Sequence, residues 1–296
     1  MPLLSIGLPV YNGEKYLRDA IESIINQTFT DFELIISDNA STDRTGEICA
    51  SYSRADSRVR YIRNKENLGA AVNYNAVFAS ARGKFFKWQA HDDMCAPDFF
   101  AKCVQVLDER PEYIICYPKT KIIDKQGAVV TMEEDDLRLD SPNVMTRFSS
   151  CLNPMKYCHN PIFGIMRSEV LAQTRLIGKF LASDRCLITE LSLYGPFFEY
   201  PEKLFIRRKH ESNIGRSYRY IRFYNPSFRG KFAVPELRLF IEGLISIRRS
   251  PLSSTQKAHL CKIMCQWAIT KRRTILREVL FALKTIQNSR LRNCFQ

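Results

Sequence analysis

Residues 3–39 read LLSIGLPVYNGEKYLRDAIESIINQTFTDFELIISDN. A short apolar run rich in branched side chains (3–10) leads into a segment with apolar residues at helical spacing (14–27). A second apolar run follows (31–37). Strand, helix, strand in that order implies a right-handed βαβ crossover joining two parallel strands. The rhythm recurs downstream. TDRTGEICASYSR (42–54), GAAVNYNAVFASAR (69–82) and PDFFAKCVQVLDER (97–110) read as helices, and RVRYIRN (58–64) and KFFKWQA (84–90) as strands. The fold class is therefore α/β, with a mostly parallel central sheet and helices on both faces, which is why the strands are almost uninterrupted in their apolarity. Local punctuation agrees: Ser41 or Thr42 can cap the second helix, Gly83 stops the third, and Pro97 sits where a first-turn proline is tolerated.

The pattern changes after residue 113. YIICYPKTKIIDKQGAVV (113–130) reads as a hairpin turning at Asp124 to Gly127. Segment 131–160 is polar and irregular. A strand and helix are expected over 162–177, a helix over 183–195 that stops at Gly195 and Pro196, and a strand over 197–210. Residues 211–230 are rich in Arg and Tyr and read as a mobile loop; 234–249 and 254–287 read as helices. These expectations divide the chain into a body, 1–230, and a basic helical C-terminal extension, 231–296. Within the body, the change of pattern separates 1–112 from 113–230.

Composition bounds the class. With 296 residues, 45% apolar and 25% charged, the chain has the make-up of a soluble globular protein of one or two domains. No run of 18 apolar residues suggests a transmembrane helix, and the N-terminus lacks the layout of a signal peptide. Ten cysteines are scattered without a CxxC pair, which points to reduced thiols and a cytoplasmic location. Cys261 and Cys265, four apart on a helix, read as packing residues. The net charge of +13 is uneven: 231–296 holds 13 Lys and Arg against 3 acids, a net of +10, and leaves +3 for the rest. A basic tail suggests an anionic partner, either a membrane surface or a nucleic acid.

In open parallel sheets, ligands bind beyond the C-terminal strand ends. Three polar clusters fall there: Pro9, Tyr11 and Asn12 after the first strand, Ser37, Asp38 and Asn39 after the second, and His91, Asp92 and Asp93 after the fourth. Two adjacent acids in a crevice call for a cation, and Mg²⁺ or Mn²⁺ uses one or two carboxylates together with water and substrate phosphates. The plainer reading is a solvated turn capping the helix that begins at Pro97. The sequence contains neither G-x-G-x-x-G after the first strand nor G-x-x-x-x-G-K-[ST], which argues against a dinucleotide oxidoreductase and a P-loop NTPase.

PVYNGEKYLRDAIESIINQTFTDFELIISDNASTDRT, continued by NKENLGAAVNYNAVFASARGKFFKWQAHDD, resembles the opening of family 2 glycosyltransferases, which use nucleotide sugars and have the Rossmann-like GT-A fold. The resemblance is close over about the first 110 residues and looser to about residue 215. It implies that Tyr11 stacks on the base, with Pro9 and Asn12 shaping the pocket, and that Asp38 accepts a hydrogen bond from a base N–H, favouring uracil. It implies that Asn67 and Asn73 line the nucleotide pocket, whereas the plain reading puts them in a loop and on a helix surface. HDD stands at the family's D-x-D position: Asp92 would contact the ribose and Asp93 a divalent metal, and His91 departs from the commoner acid. Asp184, in ASDRCLITEL, matches the catalytic base that takes the acceptor proton, with an N-cap as its plainer role and Glu190 as a lesser candidate. HNPIFGIMRSEVL, with His159 and Asn160, resembles the acceptor-side strand. His210 in RRKHES would complete the metal site or touch the diphosphate. Arg216, Arg219 and Arg222 would close over the nucleotide.

The implied function is inverting, metal-assisted hexosyl transfer from a UDP-sugar to a hydroxyl of a glycan or glycolipid, as in polysaccharide biosynthesis. One alternative is a sugar-phosphate nucleotidyltransferase; the single glycine of VYNGEKY, where such enzymes carry a Gly-rich basic loop, speaks against it. Another is a non-catalytic basic protein binding nucleic acid through the tail and Trp267, Tyr218, Tyr220 and Tyr224. No nucleic-acid motif supports this, so no nucleic-acid partner is expected. KRRTILR (271–277) would instead meet lipid headgroups as a peripheral helix, or serve as a solvated face.

Overall fold

The computed structural model describes residues 1–133, 137–152, 160–210 and 234–293, with side chains at all of these except 132, 133 and 285–293. The expected alternation is present. Strands β1 (Leu4–Val10), β2 (Phe32–Asp38), β3 (Val59–Arg63) and β4 (Phe85–Trp88) are separated by helices α1 (Leu17–Ile25), α2 (Thr45–Ala55) and α3 (Ala70–Ala79). β5 (Met94–Cys95) and α4 (Phe99–Glu109) follow. Then come the hairpin β6 (Ile115–Ile123) and β7 (Val129–Glu133), α5 (Val144–Leu152), a 3₁₀ turn (Asn160–Phe163), β8 (Ile165–Arg167), α6 (Ser168–Leu171), α7 (Ser183–Leu191) and β9 (Phe197–Arg208). Two C-terminal helices close the described chain, α8 (Pro235–Arg249) and α9 (Ser254–Asn293).

The sheet order is β3-β2-β1-β4-β8-β6-β9-β5, with β7 paired to β6. β1, β2, β3 and β4 run parallel, as do β6 and β9, while β8 lies antiparallel between β4 and β6. Every residue of β1, β2 and β4 is buried, as expected for a sheet covered on both faces. Leu4, Ile6 and Leu8 pack with α1 and α4 on one side, and Phe86 and Trp88 with Val77 on the other. The chain belongs to the mixed α/β class, with a mostly parallel sheet between helices.

Two elements depart from the sequence reading. Segment 131–160, expected to be irregular, contains α5, whose Val144, Phe148, Cys151 and Leu152 are buried; polar neighbours mask its helical spacing. β5, two residues long, pairs antiparallel with β9 at the far edge of the sheet, and so short a strand has no sequence signature. The C-terminal helices do not stand apart from the body: Leu239, Ile247, Leu260, Met264 and Trp267 share a core with Val144, Phe148 and Leu152 of α5 and with Leu193. Trp267 Nε1 donates to the carbonyl of Leu152 at 3.1 Å. The Arg-rich loop 211–230, with Arg216, Arg219 and Arg222, lies outside the described residues, as do His159 and the division at 230/231.

Candidate active site

The register of the first three strands sets Val10, Asp38 and Arg63 side by side. Their strand ends are shaped by two residues in the left-handed region, Asn12 (φ 51°) and Ala40 (φ 61°). Asn tolerates that region readily; Ala does not, and its presence marks a turn held by its surroundings. The holding bonds are visible. Asn12 N–H donates to Ser41 Oγ at 2.9 Å, and Thr42 N–H donates to Asn12 Oδ1 at 2.8 Å. Tyr11 projects from this turn and is 41% exposed, free to meet a flat ring, while Pro9 is buried within β1.

Asp38 is completely buried. Its Oδ1 accepts the Ser41 N–H at 2.8 Å, and its Oδ2 accepts the Tyr61 hydroxyl at 3.0 Å and Arg63 Nη1 at 3.1 Å. The carboxylate thus has three donors, one of them a cation. It clamps the turn and Arg63. Asn73 departs from its plainer reading: it is buried rather than on a helix surface. Oδ1 accepts Ser37 Oγ–H at 2.6 Å, and Nδ2 donates to the Ser37 carbonyl at 2.8 Å. It ties α3 to the end of β2. Asn67 is exposed, and its Oδ1 accepts from Asn39 Nδ2 at 2.8 Å and Gly69 N at 2.9 Å.

Past β4 the acids are arranged differently. Asp92 lies at the rim, its Oδ2 2.9 Å from His210 Nε2. Asp93 is buried, with Oδ1 accepting the backbone N–H of Arg208 at 2.9 Å. Burial pushes the Asp93 carboxyl well above the usual range, and the Asp92 charge adds to this; the Arg208 N–H, Arg207 and Lys87 pull the other way. The amide, Arg207 and Lys87 together leave the carboxyl raised, so the charged pair suits a cation.

The turn carrying the acids is stitched from beneath. Gln89 Nε2 donates to the Asp93 carbonyl at 2.8 Å, and Gln89 Oε1 accepts Lys87 Nζ at 2.9 Å. Lys87 is fully buried against the rings of Phe99 and Phe205, and burial lowers its pKa. His91 packs over Gly13, where a Cβ would stand 2.7 Å from its ring; His91 is a neighbour of the turn. Tyr16 lies against the tilted ring of His210 (centroids 4.8 Å apart) and the Arg208 guanidinium (4.6 Å), and among the described residues its buried hydroxyl has no hydrogen-bond partner.

Asp184 occupies the second position of α7, whose N-cap is Ala182 in the left-handed region (φ 63°) with no side-chain cap bond. Asp184 is therefore not the N-cap. The hydroxyl of Tyr74 is raised by burial and then by Asp92, Asp93 and Asp184, so α3 presents one phenol to the field of all three carboxylates. The 3₁₀ turn with buried Asn160 packs against both β4 and α7. Glu190 is elsewhere: its Oε2 accepts Arg175 N–H at 3.3 Å, and its surroundings are Arg249 and Glu242. It faces the C-terminal helices rather than the carboxylate cluster.

Sequence reading missed Tyr16, Tyr74, Lys87, Gln89 and Arg208. An aromatic at helical spacing and a lysine in a strand carry no signal of a site; only the pairing of β5 with β9 brings 208 and 210 to 92 and 93. Among the described residues, no group of three His, Cys, Asp or Glu side chains forms a complete metal cage. Two carboxylates with one unoffset charge fit an ion that draws its other oxygens from water and phosphate. His210 stands on Asp92, not on Asp93.

The glycosyl transferase family 2 profile matches residues 5–170, more than half of the chain. The chain belongs to glycosyltransferase family 2. An uncharacterised glycosyltransferase of Haemophilus influenzae is 29% identical over 223 residues, covering 73% of this chain and 68% of its own length. The chain spans less than half the length of the next curated relatives it matches. Among solved structures, S. aureus TarS 1–349 in complex with UDP superposes with a TM-score of 0.64 at 18% identity, covering 92% of this chain and 73% of that one. The mannosyltransferase PcManGT from Pyrobaculum calidifontis, in complex with GDP-Man and Mn²⁺, gives 0.57 at 15% identity, covering 92% and 75%. These structural likenesses establish the fold. No helix among the described residues is long and apolar enough to cross a membrane.

Proposed function

We propose that this family 2 glycosyltransferase moves a hexosyl group from a nucleotide-diphosphate sugar, with UDP the first candidate, to a hydroxyl of a glycan or glycolipid acceptor, inverting the anomeric centre. The observation that carries the reading is the partition of carboxylates at the C-terminal sheet edge. Asp92 and Asp93 form an electrostatically strained pair, and the field of Asp184 acts on the same Tyr74 phenol as theirs. One side would hold the diphosphate; the other would serve the acceptor.

The roles follow from the surroundings. Tyr11 stacks on the base, and the Asn12–Ser41 turn shapes that end of the pocket, with Pro9 beneath it. Asp38 holds Arg63 and the turn, and contacts a base directly only if the Arg63 pair opens. Asn67 and Asn73 brace the 37–39 turn. Asp92, oriented by His210, faces the ribose and phosphate side; Asp93, fixed by the Arg208 N–H, is the main cation ligand. Asp93, with Asp92 beside it, would hold a Mg²⁺ or Mn²⁺ ion, which when bound would supply charge neutralisation for the departing diphosphate. Asp184 accepts the acceptor hydroxyl proton as that oxygen attacks the anomeric carbon from the face opposite the leaving group. The TarS complex supports UDP, and the mannosyltransferase complex supports a divalent ion. Buried free thiols at Cys49, Cys95, Cys103, Cys116 and Cys151 support a cytoplasmic site of action.

The test is a donor screen with UDP-N-acetylglucosamine, UDP-glucose, UDP-galactose and GDP-mannose, with and without Mn²⁺. It follows nucleoside diphosphate release and the anomeric configuration of the product. Mn²⁺-dependent release of UDP with inversion is expected. Pyrophosphate release from a nucleoside triphosphate and a sugar phosphate would instead indicate the nucleotidyltransferase.

A further inference from the structure

Helix α9 has two unlike faces. Leu260, Met264 and Trp267 are buried against α5 and α8, and Ala282 is buried further along. Ile269, Leu276, Leu280 and Leu283 are 61, 58, 48 and 53% exposed. At about 100° per residue these four fall within an arc of about 60°, roughly opposite Leu260 and Trp267. Single exposed aliphatics are ordinary on a protein surface; a continuous stripe on the solvent side of a helix marks a contact.

Charge identifies the contact. α9 carries nine Lys and Arg and a single acid, Glu278. That acid turns inward, accepting the backbone N–H groups of Glu236 and Leu237 at 3.4 and 3.3 Å. The stripe is bordered by exposed Arg272, Arg273, Arg277 and Lys284, with no carboxylate beside it among the described residues. We propose that this face of α9 lies on an anionic lipid surface, with Ile269, Leu276, Leu280 and Leu283 at the acyl boundary and the cations at the headgroups. A second copy of the chain would bring cations against cations. A nucleic acid would engage the charge but has no use for four aliphatic side chains in line. The inference does not depend on the reaction proposed above.

The test is flotation of the full chain with vesicles of phosphatidylcholine alone and of equal parts phosphatidylcholine and phosphatidylglycerol, at low and high salt. Wild type should float with the anionic vesicles only, and salt should weaken it. Arg273→Gln with Arg277→Gln should weaken partitioning on the order of thirty-fold. Leu276→Ser with Leu280→Ser should weaken it on the order of a hundred-fold. All four side chains are exposed, so both double variants should melt with wild type. The proposal is overturned if wild type stays with the soluble fraction, if neutral vesicles bind it as well, or if either variant floats like wild type. It is also overturned if gel filtration shows a wild-type dimer that the leucine variant dissociates while no form floats.

Discussion

Asp38 ends β2 and Asp93 lies in the turn beyond β4, and both are buried, yet their environments are opposite. Asp38 has a hydroxyl, an amide and a guanidinium on its two oxygens. Asp93 has one backbone amide and, among the described residues, no ion pair, with Asp92 next to it. A carboxylate whose charge is answered within the protein holds structure together. One whose charge is not answered is strained until something positive arrives, and folding alone has no reason to retain it. The contrast assigns the two acids different work even though the sequence offers them as equivalent strand-end aspartates.

Substitution can break that contrast. The largest effect is expected at Asp93: Asp93→Asn should lower turnover about a thousand-fold, measured as nucleoside diphosphate release. Asp38→Asn should stay within about tenfold of wild type per folded molecule. Comparable losses at both positions would erase the distinction. Asp184 extends it to a third carboxylate. Asp184→Asn should reduce kcat by about a hundred-fold or more while leaving nucleotide affinity unchanged, since the role proposed for the group is on the acceptor side. Equilibrium denaturation reverses the order of the first two. Asp38→Asn should lose about 1–3 kcal/mol, because a buried clamp is broken although Arg63 is half exposed. Without ligands, Asp93→Asn should gain about 1 kcal/mol, seen as a melting temperature a few degrees higher.

The smallest effect is in the pH profile. The Asp93 carboxyl is raised in the folded state, so the native protein holds a proton that the unfolded chain releases at lower pH. Its contribution to stability is full below the ordinary carboxylate pKa and is lost as pH rises through the raised value. Melting temperature should therefore fall with rising pH over that window more steeply in wild type than in Asp93→Asn. Parallel profiles would mean that Asp93 titrates normally.

Much of this was legible in advance, because covered parallel strands must be apolar and their ends must be polar. The β1 to β4 rhythm and the acid pair at 92 and 93 follow from that alone. Asp38 and Asn73 were legible as positions but not as partners: what saturates them comes from β3 and β2, which register alone brings alongside. Lys87 defied reading because lysine usually marks a surface, whereas here its stem packs between Phe99 and Phe205 and its ammonium is spent on Gln89 and the Trp88 carbonyl. Tyr16 and Arg208 join the site through tertiary contacts between distant segments.

The most direct test of the central claim is a thermal-shift titration of wild type and Asp93→Asn with UDP, with and without Mn²⁺. A ligand bound only by the native state raises the melting temperature. Wild type should gain with UDP and Mn²⁺ together far more than with UDP alone, while Asp93→Asn, starting higher, should gain nothing from adding Mn²⁺. An equal Mn²⁺-dependent gain in both proteins would contradict the claim that the unanswered charge of Asp93 is there to hold a cation.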